Sequence, residues 1–202
     1  MPPEEQDKRQ QILDAAQQVF ASKGFDGASI KDLAKAAKIS PGLLYWYFKD
    51  KTDVLVSLLT ERIQTGLGQL PANVSFDAPP EEFMSQFASF YIGMLEQPMN
   101  LALFKIALTN TSSVPAAVRR VQSGLVSRVL GTVQSYFKHQ IELGHVRPCD
   151  TEMVARTFMG SVMAFLLLRN ILQDERGREL SVDTFVAGIT DIVLHGILPS
   201  DK

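Results

Sequence analysis

Along the first 70 residues the apolar positions recur three and four apart, which puts them on one side of successive helices rather than along strands. Ile12, Leu13, Ala16, Val19 and Phe20 make the first stripe. Gly24, just past Lys23, ends it, because glycine enters left-handed backbone without steric cost. Ser29 opens a second helix, with Asp32 three residues on as an acid in the first turn. Ile30, Leu33, Ala34 and Ala37 form its apolar face. Ser40 followed by Pro41 predicts a third start, an N-cap with proline at the first helical position. That helix carries Leu43, Leu44, Tyr47 and Phe48, with Phe48 expected in the core. A fourth helix is expected from about Asp50 to about residue 70, through Val54, Leu55, Leu58, Leu59 and Ile63.

Three prolines between Pro71 and Pro80 break the pattern and predict a boundary or long loop. Beyond it the spacing predicts helices over 81–97, 99–110, 116–143, 151–172 and 182–198, punctuated by Pro98, Pro115, Gly144 with Pro148, Gly177 and Pro199. No segment sustains the alternation of a strand. The expected fold is therefore all-α, with about nine helices. A three-helix helix-turn-helix domain over residues 1–52 is followed by a connecting helix over about 50–70. A C-terminal helical bundle is expected over 71–202.

Composition narrows the function classes. The 202 residues are 46% hydrophobic and 21% charged, with a net charge of −2, which excludes disorder as the main state. The single cysteine, Cys149, excludes an intramolecular disulfide framework and a cysteine-rich zinc module. Met1 to Gln11 is polar and unlike a signal peptide. The longest apolar run, 158–168, is about half the ~20 residues of a membrane span. A soluble, cytoplasmic protein without membrane partners is expected. His139, His145 and His195 show no metal-ligand spacing, and neither a phosphate loop nor a nucleophile elbow occurs. The chain therefore reads as a non-enzyme without a cofactor or metal.

Chemistry concentrates in residues 29–51. Two short helices joined by Lys38, Ile39 and Ser40 have the span of a helix-turn-helix. Pro41, Gly42, Leu43, Tyr45 and Trp46 face outward on the second, with Tyr47 at the edge. Spacing alone leaves Trp46 open between core and contact surface. From Phe20 to Lys51 there are six lysines, among them Lys31 and Lys51, against three aspartates, while residues 52–202 carry 12 basic and 15 acidic side chains. Lysines so placed can neutralise phosphates, and the tip of the second helix can reach base edges in a major groove.

Residues 10–55 resemble the DNA-binding domain of tetracycline-repressor-type (TetR family) transcription regulators. The resemblance rests on Gly24-Phe25, Ser29, Ser40-Pro41-Gly42, and Tyr45-Trp46-Tyr47-Phe48 followed by Lys51. It implies that Gly42, Leu43, Tyr45 and Trp46 approach bases or sugars, and that Ser29, Ser40, Tyr47 and Lys51 touch phosphates. Pro41 and Leu43 stand where the family often has polar or basic residues. Apolar contacts to thymine methyls and DNA shape are then expected to carry more of the specificity.

The last two helices are unusually apolar. Phe165, Leu167 and Leu168 on one, with Phe185, Ile189 and Ile192 on the other, are expected at a two-fold four-helix interface. The resemblance implies the same dimer, reading a pseudo-palindromic operator. It also implies a small-molecule effector in the bundle. Phe87, Phe90, Tyr91, Met94, Phe104, Leu108, Phe137, Met159 and Met163 are candidates to line its cavity, with Thr109, Asn110 and Arg156 as polar partners. Few inward charges point to a lipophilic or aromatic effector. The sequence thus reads as a ligand-responsive regulator, most simply a repressor; a helical small-molecule carrier that no longer binds DNA is the alternative.

Overall fold

The computed structural model describes residues 3–62, 75–109 and 116–195. Those residues hold ten helices and no strand: α1 (Pro3–Gly27), α2 (Ile30–Ala36), α3 (Pro41–Tyr47), α4 (Lys51–Arg62), α5 (Pro80–Glu96), α6 (Pro98–Thr109), α7 (Ala116–Glu142), α8 (Thr151–Asn170), α9 (Glu175–Glu179) and α10 (Val182–His195). The all-α expectation holds, with one helix more than expected. Contacts divide the chain into two compact units, Met1–Leu67 with Gln97–Leu125 and Gly68–Glu96 with Val126–Lys202. A linear cut near residue 70 does not follow this grouping, because α6 and the start of α7 go with the first unit.

In the first unit, α1 breaks at Gly24, whose φ of 69° and ψ of 176° lie in a region open essentially to glycine. Ile12, Leu13, Ala16, Val19 and Phe20 are buried on α1. They meet Leu33 and Ala34 of α2, Leu44 of α3 and Val54, Leu55 and Leu58 of α4 in one core. Both short helices begin where their caps dictate. Ser29 accepts from the Asp32 amide while Asp32 accepts from the Ser29 amide, a reciprocal capping box. Ser40 Oγ accepts from the Leu43 amide behind Pro41.

The Asp32 carboxyl is held down at about 2, first by its hydrogen bond from Lys23 and then by Ser29. A depressed native value stabilises the fold above the unfolded value of 3.8, and that contribution is lost as pH falls from about 4 towards 2. Urea midpoints measured from pH 6 to 2 should therefore fall less steeply for Asp32→Asn than for the parent across that window; parallel curves would remove the capping box from the acid limb.

The second unit packs α5, α8 and α10 with the C-terminal part of α7. Phe83 lies 3.5 Å from Tyr136 and 5.3 Å from Phe87, centroid to centroid, with Phe76 edge-on at 6.1 Å. The Tyr136 hydroxyl donates to the Ala78 carbonyl at 2.7 Å. Burial, with the nearby Glu82 charge, pushes its ionisation up. Helix α9 was not expected, because Gly177 reads as a breaker in sequence. Its actual role is close approach: a Cβ there would lie 3.3 Å from the backbone of Leu168 and Arg169, and Asp174 caps the turn through the Gly177 amide. Among the described residues α8 alone has the length and apolarity to cross a bilayer. Its Ala155, Phe158, Met159, Val162, Phe165 and Leu166 are instead buried within the unit.

Candidate nucleic-acid interface

Helix α2 closes with the Ile39 amide on the Ala34 carbonyl (3.0 Å) and the Lys38 amide on the Lys35 carbonyl (3.1 Å). These paired bonds require a left-handed residue between them, and Lys38 supplies it at φ 54°. Leu44 and Phe48 anchor the inner side of α3, at 0% and 2% exposure. On the outer side Leu43, Tyr45 and Trp46 stand 37%, 56% and 62% exposed. The structure thus decides Trp46 for the surface, edge-on to the half-buried Tyr47 at 4.6 Å. Ser29, Lys31, Ser40, Pro41 and Gly42 are also exposed. The outer side of α3 itself holds no charged side chain, and its polar groups are the Tyr45 and Tyr47 hydroxyls and the Trp46 indole N–H.

The lysine fringe is smaller than its count. Lys23 is bound to Asp32 at 2.6 Å. Lys51, expected on a phosphate, has turned inward: Nζ donates to the Phe25 (2.6 Å) and Ala28 (2.9 Å) carbonyls and lies over the Phe25 ring at 4.4 Å. It ties the start of α4 to the α1–α2 connection. Lys31, Lys35, Lys38 and Lys49 remain exposed without an ion pair among the described residues. Lys51→Met is accordingly expected to lower stability by about 1–3 kcal/mol, since two carbonyls lose their donor. A variant with parental stability and weakened binding on all DNA would restore the phosphate role.

The expected effector cavity is redistributed. Phe87, Tyr91, Phe137 and Met159 are buried, and Phe90, Met94 and Met163 half-buried, in the second unit. Phe87 and Tyr91 continue the aromatic stack at 4.7 Å, so they fill space rather than enclose it. Burial raises the Tyr91 hydroxyl to about 12. Phe104 is half-buried on α6 and belongs to the first unit. The side chains of Leu108 and Thr109, and all of Asn110, lie outside the described residues. Arg156 is exposed and bound to Glu152 at 2.6 Å, so it is no partner for a buried ligand. Of the nine candidates, Phe137 alone lines a cleft of about 350 Å³ that also takes in His145, Arg147 and Val154.

The expected dimer residues divide as well. Phe165 stacks on Phe185 at 4.2 Å and 11° and is only 4% exposed, so it joins α8 to α10 inside one subunit. Leu167, Phe185 and Ile189 are half-buried, while Leu168 and Ile192 stand 41% and 49% exposed. Gly160 and Ala164 on α8 and Ala187 and Gly188 on α10 are exposed as well. In one subunit one side of α8 is buried and the other presents small and apolar residues.

Comparison with known proteins places both parts of the chain. Residues 12–58 match the family described as bacterial regulatory proteins, tetR family. Residues 82–195 match that described as the AefR-like transcriptional repressor, C-terminal domain. The fatty acid metabolism regulator protein of Bacillus subtilis is 30% identical over 156 residues, 77% of this chain and 79% of its own length. The structure of the regulator FadR from Bacillus subtilis in complex with stearoyl-CoA shares the fold at TM-score 0.75 and 20% identity, over 94% of this chain and 99% of that one. A SmeT–triclosan complex matches at TM-score 0.73 and 19% identity, over 96% of each chain. With the helix-turn-helix and the C-terminal region each matched, the chain belongs to the tetR family and is a DNA-binding transcriptional regulator.

Proposed function

We propose that this protein is a cytoplasmic homodimeric repressor that a small lipophilic or aromatic effector releases from a pseudo-palindromic operator. The observation that carries the reading is α3: an apolar and aromatic face left in solvent, fringed by four lysines without an ion pair among the described residues, on a helix whose other side is fixed in the core. Gly42, Leu43, Tyr45 and Trp46 meet bases and sugars in this reading. Ser29, Lys31, Ser40 and Tyr47 meet the backbone, with Pro41 at the tip. The exposed small and apolar side of α8 and α10 supports dimerisation through Leu168 and Ile192. The repressor wording of the matched C-terminal family supports negative control. Stearoyl-CoA and triclosan, each in complex with a protein of this fold, support an apolar effector. Release follows if ligand binds more tightly to a dimer whose recognition helices miss their paired grooves.

The test is binding to duplexes enriched from a random library, over a salt series. Four lysines in each of two half-sites predict a log–log slope of about −7 at full engagement. Specific binding that weakens steeply with salt supports the regulator. A protein that enriches no sequence at any salt concentration and still binds small molecules would be the carrier.

A further inference from the structure

The 350 Å³ cleft of the second unit lies beside the aromatic stack, with its lining residue Phe137 edge-on to Tyr136 at 5.3 Å, and is walled by five pieces of chain: the start of α5, the end of α7, the α7–α8 loop, the first turns of α8 and the last turn of α10. Its apolar lining includes Phe137, Val146, Val154 and Val193. Its polar lining is unlike that of a purely lipophilic pocket. Arg147 lines it, is exposed and makes no ion pair among the described residues. His145 and His195 line it as well. Glu81, the carboxylate in the lining, lies 3.8 Å from His195 Nε2.

The walls are held before any ligand arrives. Gln140 is fully buried, and its amide nitrogen donates to the Phe76 carbonyl at 2.8 Å while its oxygen pairs with His145 Nδ1 at 2.9 Å. Its own carbonyl accepts from the amides of His145 (3.0 Å) and Val146 (3.3 Å) behind the left-handed Gly144. One buried side chain thus fixes both the loop that carries Arg147 and the segment that leads into α5. A site ordered in advance loses less of its interaction energy to ordering on binding.

We infer that this cleft is a binding site for a compact amphipathic carboxylate, its hydrocarbon body against Phe137, Val154 and Val193 and its anionic head towards Arg147. The inference deepens the effector reading and rests on it. The volume is at the low end for ligand pockets, which suits one or two rings. The guanidinium offers the paired donors that a carboxylate accepts.

The experiment is calorimetric titration of the full-length protein, free of DNA, with 2-naphthoate and with the neutral 2-naphthamide. Saturable binding of the acid, with the amide at least tenfold weaker, is expected. Arg147→Gln, at an exposed position, should weaken the acid about tenfold and leave the amide unchanged. Val154→Trp should fill the cleft and abolish both, with helicity checked by circular dichroism. No binding of the acid, equal binding of acid and amide, or acid binding indifferent to Arg147→Gln overturns the inference. A protein that binds its enriched duplex but not 2-naphthoate loses this site and keeps its regulatory reading; one that binds 2-naphthoate but no DNA does the reverse.

Discussion

Trp46→Ala is expected to lower affinity for an enriched duplex at least tenfold while the thermal midpoint stays within about 2 °C of the parent. The indole is 62% exposed, and its ring contact is the edge of Tyr47 at 4.6 Å. Removing it therefore opens no cavity, and surface changes of this kind cost about 0.5 kcal/mol or less. In the proposed complex with DNA the same surface is covered, and loss of an aromatic anchor from the centre of an interface costs about 2 kcal/mol or more. Tyr45→Ala should behave alike, since that ring is 56% exposed. Anisotropy with the enriched duplex and a scrambled one separates the outcomes. Equal loss on both would move these rings from base readout to the backbone, and a midpoint that falls with affinity would make them packing residues.

Phe83→Ala should have the largest effect on stability, about 3–5 kcal/mol in urea unfolding. Phe83 is fully buried in the second unit, with Tyr136, Phe87 and Phe76 all in ring contact. Truncation forfeits the burial and the stacking and leaves a void that three fixed rings cannot close. The result also bears on where an effector lodges. If Phe83 and Phe87 bordered an open chamber, the loss would be near 1 kcal/mol, because water or ligand would already occupy the space.

Features set by neighbours in sequence were legible before the structure. The starts of α2 and α3 follow from Ser29 with Asp32 and from Ser40 with Pro41, where donor and acceptor are at most three residues apart. Inward Leu44 and Phe48, and outward Tyr45, follow from helical period. Long-range pairings were not legible. Lys51 finds its carbonyls 23 and 26 residues away, and nothing local marks it as different from Lys49. Phe165 meets Phe185 across two helices, so apolar spacing could not tell a seam inside one subunit from a seam between two. Stripes of Phe and Met read equally as lining or filling, and the stacking geometry favours filling for Phe83 and Phe87. Gly177 misled because glycine marks breaks and close contacts with the same letter. The cleft beside Arg147 had a trace in sequence, the Gly144 to Pro148 turn, but its far wall comes from α10 some 50 residues later.

Lys38 sits at φ 54°, where most proteins would place glycine or asparagine. An L side chain pays about 1–2 kcal/mol for that posture. The domain is thus held slightly below the robustness its own architecture permits, and the sum forgone keeps a cation at the elbow leading into the reading rod. A breeder of tougher variants would pick this position early, and under the proposed function each gain in hardiness there would loosen the grip on the chromosome.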